Sequence, residues 1–238
     1  MKNISTKASY LFLIFCATEL LAAQSRFEEV NTSIFILMGR MLIVMFAVYL
    51  FTQSKTFIKV FNSKAVFLIF LWFVIFFSLI GIYATIVGKK EYGAIANFRD
   101  LGPVMAGFIG GPLVGFLTGL IAAIHRFSIG GFTKIPCSLA TICAGIFAGL
   151  LAKKIKQTLN YYLALLVPFT LELFHMILIL IFANPFVTAW RVVQEIVFPM
   201  VFVNCVGVLI FIFILRINKE KKEIECSEKN RRRKNEIN

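Results

Sequence analysis

Long apolar runs separated by short polar segments dominate this chain. Residues 34–52 are apolar apart from Arg40, and residues 65–87 are almost wholly apolar and rich in Phe. Residues 137–152, 159–183 and 195–215 repeat the pattern. A helix needs roughly 20 apolar residues to cross a bilayer, so these runs predict an all-α, polytopic membrane helix bundle. Residues 1–23 carry Lys2 and Lys7, an apolar stretch over 8–17, and then "LLAAQS". That order is the one of a signal peptide, although Glu19 interrupts it, and the alternative is an uncleaved signal anchor. Either reading leaves "QSRFEEVN" outside the membrane. The membrane unit that follows is residues 32–217, and residues 218–238 form a basic tail expected in the cytoplasm.

Composition strengthens this picture. Of the 238 residues, 59% are hydrophobic, above the roughly 45–50% of a soluble domain, and the mean hydropathy is +0.85. The loops leave no room for a soluble catalytic domain. The formal charge of +13 does not point to nucleic acid, because Lys and Arg cluster at helix ends and in the tail. Lys55, Lys59 and Lys64 fill one loop, and Lys153, Lys154 and Lys156 another, which by the positive-inside rule makes both cytoplasmic. Lys89 and Lys90 count against an outer loop at "GKKEYGAIANFRD", with Glu91 and Asp100 partly offsetting them. The segment "NPFVTAWRVVQ" is expected as an outer loop with an interface Trp. The basic tail reads as a solvated flank or as a contact for anionic lipid headgroups. Five scattered cysteines (Cys16, Cys137, Cys143, Cys205 and Cys226) include no CxxC pair and imply no zinc site or disulfide framework.

The segment over residues 101–126 is different. "GGP" at residues 110–112 divides it into arms of about 10 and 14 residues, roughly 15 and 21 Å as helix. Neither arm spans a core of about 30 Å. The economical solution is a glycine-rich broken, re-entrant helix pair turning at "GGP". Gly107 and Gly111, then Gly115 and Gly119, then Gly145 and Gly149 are each four residues apart, the spacing of small-residue helix contacts. Such a turn returns Arg99 and Arg126 to one side of the membrane, beside His125, Gly130, Gly131 and Cys137. A guanidinium fork matches a carboxylate, and Pro136 marks a helix start with free N–H groups. Together these describe a small-anion site. The competing reading is interfacial snorkelling, in which each arginine simply reaches headgroups.

At these residues the chain resembles the LytS-type five-transmembrane receptor region. The shared pattern is N-x-R, G-G-P-x-x-G, H-R, G-G and then P-C, within "NFRDLGPVMAGFIGGPLVGFLTGLIAAIHRFSIGGFTKIPC". It continues through "LELFHMILIL" and "FPMVFVNCVGVLIFIFIL", over about residues 34–215. The resemblance implies a multi-pass sensor domain of the bacterial inner membrane, joined in the family to a phosphorelay histidine kinase or sometimes a diguanylate cyclase. It implies a pyruvate-like ligand in some systems and cell-wall or autolysis control in others. Carried over by motif, the ligand residues would be Asn97, Arg99, His125, Arg126 and Cys137, with a hydroxyl from Ser138 or Thr141. A homodimer is the expected assembly. A more distant likeness joins the region to substrate-binding subunits of vitamin importers, so a small-solute transporter is the alternative function. Residues 216–238 hold no H-box, ATP-binding glycine motif or GGDEF-like run. Kinase activity is therefore not expected from the residues present. The output would lie in a separate cytoplasmic kinase and response-regulator system, or would be lost.

Glu172 and His175, three apart, share a helical face within one apolar run. Ionisable residues inside a membrane are functional candidates, here a proton-responsive pair. The alternative is a hydrogen-bonded packing contact with Asn204. No nucleophile–base–acid set or paired-carboxylate enzyme site is seen, His125 has no second ligand-type residue at metal spacing, and no metal or cofactor is expected. Ile217 and Ile224 allow either the first heptad of a signalling helix or a frayed end.

Overall fold

A computed structural model describes residues 2–54, 66–155 and 161–237 of the chain. Among them are six helices: α1 (Lys2–Gln53), α2 (Val66–Ile86), α3 (Leu101–Ile129), α4 (Lys134–Ile155), α5 (Tyr161–Phe182) and α6 (Phe186–Ile237). A two-stranded antiparallel hairpin, β1 (Lys89–Glu91) and β2 (Ala94–Ala96), joins α2 to α3. Its register pairs Lys89 with Ala96 and Glu91 with Ala94. The expected outer loop "GKKEYGAIANFRD" thus carries local structure that its short run of alternating residues concealed.

The faces of the helices sort as membrane spans do. On α1, Leu37, Met41, Val44 and Val48 are buried, whereas Phe35, Ile43, Phe46 and Leu50 point outward. The buried set recurs at helical spacing, so one stripe meets the bundle. Trp72, Leu79, Ile124, Tyr162 and Phe198 extend the exposed apolar belt around other helices. Lipid tails are as apolar as these side chains, so the bundle is not held by a hydrophobic drive between helices. Close backbone packing must do that work.

Three segments at the edges of the apolar runs are more helical than hydropathy suggests. The segment "QSRFEEVN" does not leave the helix, because α1 runs through it from Lys2 to Gln53. Glu, Gln and Arg are good helix formers and the segment has neither Gly nor Pro to stop it. The expected outer loop "NPFVTAWRVVQ" shrinks to a turn at residues 183–185. The N–H groups of Thr188 and Ala189 both donate to the Pro185 carbonyl at 3.1 Å, so α6 begins immediately after that proline. The basic tail is helical as well, since α6 continues to Ile237 on a Lys-, Glu- and Arg-rich sequence.

Re-entry at "GGP" is realised in α3. By length and composition Leu101–Ile129 could pass for one span, but Gly111 takes φ 81° and ψ −175° and breaks it. Only glycine adopts that conformation cheaply. Pro112 then opens the second arm, where a missing N–H costs nothing. The fold-back is evident across the break. A Cβ added to Gly115 would stand 3.0 Å from the Gly107 Cα, a separation that eight residues of continuous helix could not give. Gly107 and Gly111 therefore do not share a helix face. Both arms instead press on α4. A Cβ on Gly115 would meet the Gly145 carbonyl oxygen at 2.1 Å, one on Gly107 would meet it at 2.6 Å, and one on Gly149 would meet the Pro112 nitrogen at 2.4 Å.

The two ends of the bundle are tied separately. At the hairpin end, Arg40 Nη1 donates to the Val87 carbonyl. Lys89 Nζ donates to Ser33 Oγ at 2.7 Å and pairs with Glu91 at 2.5 Å. The Lys89 charge is thus answered within its own hairpin. At the other end, Gln53 Nε2 donates to Asn218 Oδ1 at 2.6 Å, and the Arg216 guanidinium lies over the Tyr161 ring at 4.1 Å. The end of α1 and the start of α5 therefore both meet the same stretch of α6. The lysines at 55, 59, 64 and 156 lie outside the described residues.

Glycine contact should govern stability. Gly145→Val places a branched side chain against the Gly115 backbone and is expected to cost about 3 kcal/mol or prevent folding. Gly39→Ala, with nothing within 4 Å of its added Cβ, should leave stability unchanged. Fluorescence-detected size exclusion and the thermal midpoint in detergent check the pair. Equal behaviour of the two variants would refute the role given to the glycine contact.

Candidate functional site

The fold-back of α3 sets the position of the buried polar groups. Its first arm begins just after Arg99 and its second ends near Arg126, so both arginines come to the β-hairpin end. Each is wholly buried, at 0% exposure. Both reach the start of α4: Arg99 donates to the Cys137 carbonyl, and Arg126 donates to Thr133, whose own carbonyl accepts from the Cys137 N–H. The geometry thus brings Arg99, Arg126 and Cys137 around one point, 38 and 11 residues apart in sequence on the α4 side.

Arg99 is held by α4. Its Nε donates to Thr141 Oγ1 at 2.6 Å and its Nη2 to the Cys137 carbonyl at 3.1 Å. Thr141 Oγ1 stands 2.7 Å from Asp100 Oδ1 and 2.9 Å from the Cys137 carbonyl, and one of these takes its proton. The Arg99 Nε to Asp100 Oδ1 separation is 3.6 Å, so the hydroxyl bridges an ion pair that is not itself in hydrogen-bond contact. Arg126 clasps the loop before α4. Its Nη1 donates to the Gly130 carbonyl at 2.6 Å and its Nη2 to Thr133 Oγ1 at 3.0 Å. Gly130 and Gly131, with φ of 81° and 88°, make the turn that presents that carbonyl.

The other candidates divide. Asn97 serves the backbone: its Nδ2 donates to the Ile95 carbonyl at 2.8 Å, and its Oδ1 accepts from the Arg99 N–H at 3.0 Å. It fixes the corner between β2 and α3. Ser138 Oγ donates to the Ala123 carbonyl at 3.1 Å and pins α4 to the second arm. His125 is half-buried, and its carbonyl accepts from Ser128 Oγ at 2.8 Å. It neighbours Arg126 in sequence, but adjacent helical positions point about 100° apart. Thr141 is the hydroxyl that touches Arg99.

A second polar group adjoins the first. Glu172 and His175 on α5 are each 1% exposed. Asn204 Nδ2 on α6 donates to Glu172 Oε1 at 2.7 Å, the cross-helix contact anticipated for this face. His175 Nδ1 lies 3.6 Å from Glu172 Oε2 and 3.4 Å from Asp100 Oδ2. Asp100 is the residue that sequence reasoning missed. An acid immediately before a helix reads as a solvated cap. Here it makes no cap hydrogen bond and is only 5% exposed. Its adjacency to Arg99 in "FRD" was the available signal. Thr133, which holds Arg126, left no such signal.

Residues 54–217 match the family described as 5TMR of 5TMR-LYT. The chain belongs to that family. The 5TMR-LYT region is a membrane sensor region, and curated relatives carry it within longer proteins. The sensor histidine kinase BtsS of Escherichia coli (strain K12) is 38% identical over 147 residues, covering 59% of this chain and 26% of the relative. The sensor protein LytS of Bacillus subtilis (strain 168) is 37% identical over 134 residues, 55% of this chain and 23% of the relative. The sensor histidine kinase YpdA of Escherichia coli (strain K12) is 32% identical over 139 residues, 57% and 25%. The chain spans about a quarter of the length of the curated relatives it matches. No solved structure matches it.

The Thr141 bridge is testable within the 5TMR-LYT fold. Thr141→Val keeps shape but leaves Arg99 Nε and Asp100 Oδ1 buried without that partner, at a cost of about 1–3 kcal/mol. Thr141→Ser should retain most of the stability. The comparison is made by thermal midpoints of the purified variants, and a valine variant as stable as the serine one would contradict the bridge.

Proposed function

We propose that this chain is the ligand-receiving input domain of a two-component sensor, and that its ligand is a small carboxylate of the pyruvate type. The observation that carries the reading is Arg126. It is fully buried, yet among the described residues no carboxylate lies within ion-pair distance of it. A buried cation without a counter-charge costs several kcal/mol. An anion bound beside it would supply that charge.

The donor set suits a carboxylate. Arg99 Nη1 and Arg126 Nε are both buried with no hydrogen-bond partner, one free donor from each fork. Two such donors converging on two oxygens make strong, charge-assisted bonds with defined direction. Snorkelling does not fit side chains at 0% exposure that are bonded to α4 and its leading loop. Cys137, whose carbonyl Arg99 holds, would offer the ligand a small polarisable neighbour. The hairpin end would face outward across the bacterial inner membrane, and the basic tail would face the cytoplasm. Ligand binding shifts such a domain only through unequal affinity for two arrangements. The packing of the α3 arms on α4 and the polar contact between α5 and α6 are the parts whose arrangement the ligand would bias. A histidine kinase, on the same polypeptide or separate, would read the result.

Pyruvate at 100 times its Kd should stabilise the detergent-purified protein by about 2.7 kcal/mol. A rise in thermal midpoint is expected for the wild type and for Gly39→Ala, and none for Arg126→Gln. Unchanged melting of the wild type at millimolar pyruvate and at millimolar acetate, propionate and lactate would sink the carboxylate reading.

A further inference from the structure

Asp100, Glu172 and His175 come from two separate elements and place three ligand-type atoms within 4.8 Å of one another, all buried. Their spacing is unusual for an ion-paired histidine. A charge-assisted N–H···O contact closes to about 2.7–2.9 Å. Here His175 Nδ1 is 3.4 Å from Asp100 Oδ2 and 3.6 Å from Glu172 Oε2 and forms no hydrogen bond to either. Metal bonds of about 2.0–2.2 Å at tetrahedral angles put neighbouring ligand atoms roughly 3.3–3.6 Å apart. The two separations from His175 Nδ1 fall in that interval.

The carboxylates are also oriented as ligands are. Asp100 sets Oδ1 2.7 Å from the Thr141 hydroxyl and turns Oδ2 toward His175. Glu172 uses Oε1 to accept from Asn204 and turns Oε2 toward the same nitrogen. One oxygen of each is fixed by a protein donor, and the other faces the shared point, an arrangement that positions metal-binding carboxylates. Glu172 Oε2, both nitrogens of His175 and Asn204 Oδ1 are buried without hydrogen-bond partners. Of these, His175 Nδ1 and Glu172 Oε2 face each other at 3.6 Å, and two orphan polar atoms at one point in a membrane bundle need a common partner. Glu-x-x-His on an inward helical face is the ligand spacing that helix-bundle metal sites use.

We propose that Asp100, Glu172 and His175 bind one divalent first-row transition ion, of the Zn2+ class. One imidazole with two carboxylates suits that class, whereas Ca2+ and Mg2+ prefer all-oxygen shells. Charge accounting agrees. A 2+ ion neutralises Asp100 and Glu172, which leaves the charges of Arg99 and Arg126 for an incoming anion. The site itself does not depend on the carboxylate reading of the arginines, and its test needs no pyruvate.

The test uses the full chain in detergent, tag removed, stripped with a chelator and then equilibrated with Zn2+ or Co2+. Elemental analysis is expected to give about one equivalent of Zn2+ per chain. The Co2+ form should show the visible d–d absorption of a four- or five-coordinate centre. Glu172→Gln and His175→Gln should each weaken Zn2+ binding about tenfold or more and abolish the Co2+ band. Size exclusion of the metal-free variants shows whether they are folded, and the wild-type Co2+ spectrum stands even if they are not. Wild-type protein that is folded yet takes up less than roughly a tenth of an equivalent, or shows no Co2+ band, overturns the proposal. So does folded Glu172→Gln and His175→Gln protein that binds Zn2+ as the wild type does.

Discussion

Backbone contact between glycines is the constraint from which the rest of this structure follows. In lipid, helices gain little by hiding apolar side chains from one another. The two arms of α3 stay folded because Gly107 and Gly115 let them meet the α4 backbone at Gly145. Without that contact the break at Gly111 would leave irregular backbone facing hydrocarbon, where unsatisfied groups are costly. The same contact fixes α4 at the depth where Thr141 and the Cys137 carbonyl reach Arg99. A packing device made of missing side chains therefore determines where two charged ones sit.

Around that frame the buried polar residues form two linked groups rather than one. Arg99 and Arg126 are bonded mainly to hydroxyls and carbonyls, which hold the forks without spending their charge. Asp100, Glu172 and His175 concentrate the acids on the α5 side. Thr141 sits between the groups and touches both. A single hydroxyl in that position couples the orientation of a cation to that of a carboxylate, so neither group can rearrange alone.

How much of this was legible depended on whether the signal was local. "GGP" declares a break by its own chemistry, and arms too short to span force a return, so the hairpin could be read from a few residues. The Glu172–Asn204 contact followed from two polar residues in otherwise apolar runs. Helix ends were less readable. "QSRFEEVN" and the basic tail look like solvated segments in a hydropathy profile, yet they consist of good helix formers with nothing to end the helix. Asp100 was the most opaque. Its burial depends on Thr141, 41 residues further on, and on His175 on another helix. No window around Asp100 contains that information.

The α6 helix carries Asn204 in the buried cluster and Gly207 against Leu101 at the head of α3, then continues without a break to Ile237. Its internal proline, Pro199, lies before both of these residues and not after them. From Asn204 onward there is no joint to absorb a twist or a piston-like slide, over roughly 50 Å at 1.5 Å per residue. The rod's far end must turn or shift with its buried end.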